Sequence, residues 1–186
     1  MGNTKSKQPP YTLQTTFPNY KGAGILFANN RVALAGVQKH RRLAETGGTG
    51  ILSGLGGRRE LSDMDWYYTA WREVIEELYN ESIIPAALIM ELCIKIPLTT
   101  KPLYINEYVM CRLSFEQLEY MMRICAKSKY KLYSNVYEKL PLSLTDLIMK
   151  RLPTYNTEIG ALSLIPSSHP VTIADEFIGD LIASRV

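Results

Sequence analysis

The stretch from about Asp63 to Tyr79, DMDWYYTAWREVIEELY, constrains the fold more than any other. Its apolar residues recur with a helical period. Tyr67, Ala70, Trp71, Val74 and Leu78 share one side, so a helix here has a face to dock on a sheet. Ser62 followed three residues later by Asp65 resembles a capping box at its start, and Pro85 lies beyond its end. At about 100° per residue, Glu77 falls about 40° to one side of Glu73 and Glu76 about 60° to the other. Three carboxylates then occupy an arc of roughly 100° on adjacent turns. Two readings are open. The arc is a solvated face, with Arg72 and Glu76 paired at i,i+4. Or the like charges of Glu73, Glu76 and Glu77 are a platform for a hard divalent cation that relieves their repulsion.

The flanking sequence predicts an α/β fold. AGILFANNRVALAGVQ (Ala23 to Gln38) reads as two short strands joined at Asn29-Asn30. A polar loop, Lys39 to Gly50, leads to a short strand over Ile51 to Leu55 and then to Gly56-Gly57. After the acidic helix, Leu88 to Leu98 and Leu103 to Ser114 read as strands joined by a turn at Thr99 to Pro102. Ser114 and Gln117 form a capping box that opens a helix to about Lys127. Ser143 to Leu152 and Thr172 to Arg185 read as further helices. Strands on both sides of a long helix imply a mixed sheet with helices on both faces. Residues 1–18, punctuated by Pro9, Pro10 and Pro18, read as a flexible tail, and 153–186 as a helical extension of the same domain.

Composition excludes several classes. A chain of 186 residues with 46% hydrophobic and 21% charged residues fits one globular domain. A formal net charge of +3 is too mild to predict nucleic-acid binding, although Lys39-His40-Arg41-Arg42 is a local basic run suited to a polyanion such as RNA. Three cysteines in apolar stretches, with no CxxC pair, read as free buried thiols of a reducing, cytoplasmic compartment. Two histidines cannot build a histidine-rich metal site, and no run is long enough to span a membrane. The opening MGNTKSK matches the N-myristoylation pattern at Gly2, which would give marginal, reversible membrane contact.

The helix and the glycines before it resemble the box of the Nudix hydrolase family, G-x5-E-x7-R-E-U-x-E-E-x-G-U, where U is a bulky aliphatic residue. Arg72, Glu73, Val74, Glu76 and Glu77 match its second half. The first half carries one extra residue. Counting forward from Gly57 puts Asp63 at the first glutamate, while counting back from Arg72 puts Met64 there. Asp63 or Asp65 is the candidate substitute. Tyr79 stands where the family has the glycine that ends the helix. The resemblance covers residues 19–152 and implies an α/β/α sandwich around a mixed sheet. It also implies hydrolysis of a diphosphate linkage in a nucleoside diphosphate joined to another group, with Mg²⁺ or Mn²⁺. On matched positions it implies Glu73, Glu76, Glu77 and the Gly56 carbonyl as metal ligands, with Arg72 orienting the carboxylates. Arg58 and Arg59 are candidate phosphate contacts, and Glu107, Glu116 and Glu138 candidate distal bases. A homodimer, and a binding module that has lost catalysis through the altered box, are further expectations.

Overall fold

The computed structural model describes residues 11–38, 51–127, 130, 132–153 and 157–166. Gly2, the basic run Lys39 to Arg42 and the helix expected over Thr172 to Arg185 lie outside the described residues. The architecture is mixed α/β, with four helices among the described residues.

In chain order the elements are β1 (Gly22–Phe27), β2 (Val32–Gln38), β3 (Ile51–Ser53), β4 (Leu55–Arg58), α1 (Trp66–Tyr79), α2 (Ala86–Lys95), β5 (Leu103–Ile105), β6 (Tyr108–Leu113), α3 (Phe115–Ala126), α4 (Leu144–Met149) and β7 (Ile159–Pro166). They form a four-stranded sheet, β4-β1-β6-β5, and a three-stranded sheet, β3-β2-β7. The first is mixed: β1 runs parallel to β6 and antiparallel to β4. The second is antiparallel.

β1 and β2 do meet at Asn29-Asn30, where the Asn29 carboxamide oxygen accepts from the N–H groups of Arg31 and Val32. They share only the single bridge Ala28–Ala33 and then part into different sheets. Leu26, Ala28, Ala33, Ala35, Met110 and Ile165 form a small apolar cluster tying the two sheets together.

α1 lies on β1 and β4. Ala70, Trp71, Val74 and Leu78 are fully buried there, each large side chain contributing on the order of 1.5–3 kcal/mol. Its cap differs from the expected one. Asp65, not Ser62, is the N-cap, and its carboxylate accepts from the Tyr68 N–H at 2.8 Å. The same carboxylate accepts from the Tyr11 hydroxyl and the Gln14 N–H, each at 2.7 Å, so residues 11–14 strap the front of the helix. The helix ends at Tyr79, and Asn80 takes the left-handed conformation at φ 52°. Asparagine tolerates that conformation second only to glycine, so it ends the helix one residue later than the box does.

Leu88 to Leu98, expected as a strand, is mostly the helix α2. Its buried residues, Leu88, Ile89, Leu92 and Cys93, recur at helical spacing, and Glu91 pairs with Lys95 one turn on. A short apolar run satisfies either period loosely, and here the two alanines at its start favour the helix. Leu103 to Ser114 is a hairpin rather than one strand, turning at Asn106 and Glu107, both with positive φ. The extension expected to be helical from residue 153 instead supplies β7, whose register runs along the whole of β2. Cys93, Cys111 and Cys125 are free and buried.

Candidate functional site

The arc of carboxylates on α1 is partly withdrawn from solvent: Glu77 is buried, and Glu73 and Glu76 are half-buried. Glu77 is 9% exposed and Arg72 6%. A charge is not enclosed in this way without partners, so the partners define the site.

Arg72 is the hub. Its Nε and Nη2 each donate to Asp63 at 3.0 Å, a bidentate pair. Nη2 also donates to the Arg58 carbonyl at 2.7 Å and pairs with Glu73 at 2.9 Å, while Nη1 donates to Glu76 at 3.1 Å. Asp63 further accepts from the Thr69 hydroxyl and the Glu60 N–H, both at 2.8 Å. Asp63 turns inward onto the arginine, whereas Met64 is 46% exposed. The Asp63 N–H closes a turn onto the Glu60 carbonyl at 3.1 Å.

The glycines act by close approach. A Cβ on Gly57 would stand 2.3 Å from a Glu73 oxygen, and one on Gly56 would stand 2.5 Å from the Gly24 Cα. Gly56 excludes a side chain because the clash is with the backbone of β1, whereas a side chain at Gly57 would displace the Glu73 carboxylate. The Gly56 N–H donates to the Glu77 carboxylate at 2.8 Å, fixing it against the strand.

Burial sets the charge state of the cluster. It pushes the Glu73 carboxyl up to about 7; Arg72 opposes the rise and Glu76 adds to it. Burial likewise raises Glu76, with Arg72 again opposing. Glu77 is raised well above the usual carboxylate range by burial, and the negative charge of Glu158 is the next cause.

These groups open into a cavity of about 560 Å³. Among the described residues, Glu60, Glu73, Glu76, Glu77, Glu81 and Glu158 line it, and no lysine, arginine or histidine does. Asn80, Ser82 and Asn135 supply neutral polar groups at its edge. Glu158, just before β7, was not singled out in the sequence. The signal was faint: one carboxylate at the mouth of an apolar run, Ile159 to Pro166, that alternates too irregularly to stand out.

The three expected distal bases are elsewhere. Glu107 sits in the β5–β6 turn, paired with Lys21 at 2.6 Å. Glu116 lies in the first turn of α3, and Glu138 is exposed on a loop. None lines the cavity. The side chains of Arg58 and Arg59 do not line it either. Arg59 stacks over the Tyr20 ring at 4.5 Å, and Arg58 contributes its carbonyl to Arg72.

As placed, the carboxylates are held apart. Among the described residues no three His, Cys, Asp or Glu side chains stand together as a ready ligand set. Arg72 engages Glu73 and Glu76, and Gly56 engages Glu77. The donor chemistry fits a hard divalent cation all the same. Among the described residues every charged group lining the cavity is a carboxylate, and Arg72 is the counter-charge of Glu73 and Glu76.

Compared with known proteins, the chain matches no family and no curated protein.

Proposed function

We propose that this protein is a divalent-metal-dependent hydrolase of Nudix type. It cleaves the diphosphate linkage of a nucleoside diphosphate derivative, such as a nucleotide sugar, dinucleotide, nucleoside triphosphate or RNA cap. The observation that carries the reading is the partial burial of the acidic face: Glu77 is buried, Glu73 and Glu76 are half-buried, and the three line an open cavity. Two sheets, with α1 packed on the mixed one, are consistent with the α/β/α sandwich that goes with this activity.

Glu73, Glu76 and Glu77 would hold Mg²⁺ or Mn²⁺, with Glu158 and the Gly56 carbonyl as further donors. Bound there, the cation would polarise phosphate oxygens and lower the pKa of an attacking water. The remaining work belongs to the chain. Arg72 orients Glu73 and Glu76 through its fork and is itself fixed by Asp63. Glu158, which lines the cavity, replaces Glu107, Glu116 and Glu138 as the candidate to take the water's proton. The six glutamates that line the cavity among the described residues repel a bare diphosphate, so the substrate would enter as its metal complex.

The test compares wild type with Glu76→Gln and Glu77→Gln on nucleotide sugars, dinucleotides, nucleoside triphosphates and capped RNA, each with Mg²⁺ or Mn²⁺. Turnover by wild type and its loss in both variants is expected. No turnover of any substrate sinks the enzyme reading, and tight nucleotide binding without turnover favours the impaired binding module. Among the described residues no helix is long and apolar enough to cross a membrane. Membrane contact rests on Gly2, and intact-mass measurement of protein from a eukaryotic host tests it.

A further inference from the structure

α1 ends in an electrostatically awkward way. Its last turn carries Glu77 and no basic residue, although a helix C-terminus favours positive charge. Its final carbonyls also need donors from outside the helix. One side chain supplies both. Arg151, just past α4, donates from Nη1 to the Leu78 carbonyl and from Nη2 to the Glu77 carbonyl at 3.0 Å. The same Nη2 donates to the Ile159 carbonyl at 2.9 Å.

That last bond crosses the cavity wall. Ile159 opens β7 and follows Glu158 directly, so one nitrogen ties the backbone of Glu77 to the residue beside Glu158. The guanidinium is held in turn by Tyr137, whose ring centre is 5.7 Å away and whose hydroxyl donates to the Leu147 carbonyl at 2.6 Å. Arg151 binds backbone carbonyls and makes no bond to the Glu77 or Glu158 carboxylate, of which the first accepts from the Gly56 N–H.

We infer that Arg151 is a positioning residue: it locks the end of the acidic helix to the strand bearing Glu158 and so sets the separation of the Glu77 and Glu158 carboxylates. The inference rests on the reading of the cavity as a cation site. A planar fork suits three carbonyls at once; the point charge of a lysine does not.

The experiment measures Mn²⁺ binding by calorimetry on the full chain, together with kcat and KM on a substrate found in the panel. The variants are Arg151→Lys, Glu158→Gln, the double variant, and Leu147→Ala. Leu147 is fully buried in α4, so its truncation destabilises the same region without touching the fork. Arg151→Lys is expected to weaken Mn²⁺ binding by roughly tenfold or more, the usual cost of losing a group that orients metal ligands. It should lower kcat more than it raises KM. In the Glu158→Gln background the same change should cost much less, because the carboxylate it positions is gone. Leu147→Ala should lower the Tm while leaving Mn²⁺ affinity near wild type.

Several outcomes overturn the inference. Unchanged Mn²⁺ affinity in Arg151→Lys does so while leaving the cation site intact. So does a full additive loss in the double variant, or a loss in Leu147→Ala that equals the loss in Arg151→Lys. If Arg151→Lys does not fold, Glu158→Gln decides alone: Glu158 is exposed, and wild-type affinity in that variant removes any gap for Arg151 to set. Absence of Mn²⁺ and Mg²⁺ binding by wild type overturns the cation-site reading itself, and this inference with it.

Discussion

Arg72 and Arg151 both reach the acidic helix, and they bind different parts of it. Arg72 bonds chiefly to side-chain carboxylates: Asp63 on the preceding loop, Glu73 and Glu76 on its own helix. Arg151 bonds to the carbonyls of Glu77, Leu78 and Ile159. The first arrangement neutralises charge, and a cation arriving at Glu73 or Glu76 must compete with it. The second fixes position and competes with nothing. The difference shows how a fold can enclose several glutamates without collapsing their charges into a single internal ion-pair network.

The comparison predicts unequal losses. Arg72→Met leaves the Asp63 carboxylate, at 0% side-chain exposure, with no cationic partner. The expected cost is about 3–5 kcal/mol, the range for stranding one member of a buried ion pair. Arg151→Met strands neutral carbonyls, for which about 1–3 kcal/mol is expected. Urea denaturation of both variants in EDTA checks the order, and an Arg151 variant as unstable as the Arg72 variant breaks the distinction between charge and position. Tyr79→Gly, which writes the family's glycine back in place, belongs with the larger loss. Tyr79 is fully buried, stacked edge-on with Tyr137, so roughly 3–5 kcal/mol should go with its ring.

A second prediction uses the charge that Arg72 leaves uncompensated. The folded state raises the Glu73 carboxyl from 4.5 to about 7, chiefly by burial. Folded protein therefore keeps a proton that the unfolded chain has already lost within that window. Metal-free protein should lose stability as the pH climbs from about 4.5 through about 7, by on the order of 2 kcal/mol after local relaxation. The Tm in EDTA across that range reads it, and Glu73→Gln should make the decline shallower, the raised Glu76 and Glu77 carrying the remainder. Mg²⁺ should restore more stability at pH above the window than within it, since its ligands are then unprotonated. A Tm that rises with pH in the wild type contradicts the burial of this charge.

Glu77→Gln sharpens the same point with a smaller change in stability. The amide oxygen can still accept from the Gly56 N–H, and the buried charge is removed. Metal-free stability should stay within about 1 kcal/mol of wild type or rise, as when a buried ion is replaced by a neutral isostere. The Tm increment from Mg²⁺ should disappear. A variant that keeps the full Mg²⁺ increment takes Glu77 out of the ligand set.

The acidic half of the site was legible because it is local. Spacing within one helix fixes which residues share a face, so Arg72, Glu73, Glu76 and Glu77 could be placed from the sequence. The inward turn of Asp63 was one of two alignments, and only the contact with Arg72 separates them. Glu158 and Arg151 were not legible, since both reach the site through tertiary packing of β7 and α4. The strand–helix error at Leu88 to Leu98 has a related cause: ten or so apolar residues fit either period until a neighbour selects one face. Nothing within α1 says that another element closes over it.

The smallest predicted effect concerns where α1 stops. The box places a glycine at the position of Tyr79, yet the chain reverses at Asn80, with φ 52°. If Asn80 does the glycine's work one residue later, Asn80→Gly relieves the modest strain of a side chain in the left-handed region. It also removes the exposed hydrogen bond from the Asn80 amide to Asn135 at 2.9 Å. The two effects oppose, and the net change should stay within about 0.5 kcal/mol. Asn80→Ala lacks both the tolerance and the bond and should cost about 1–2 kcal/mol. Chemical denaturation resolves the difference between the two variants. Equal stability for alanine and glycine at this position would mean that the helix stop is set by tertiary contacts such as the Arg151 bonds to the last carbonyls, and not by Asn80.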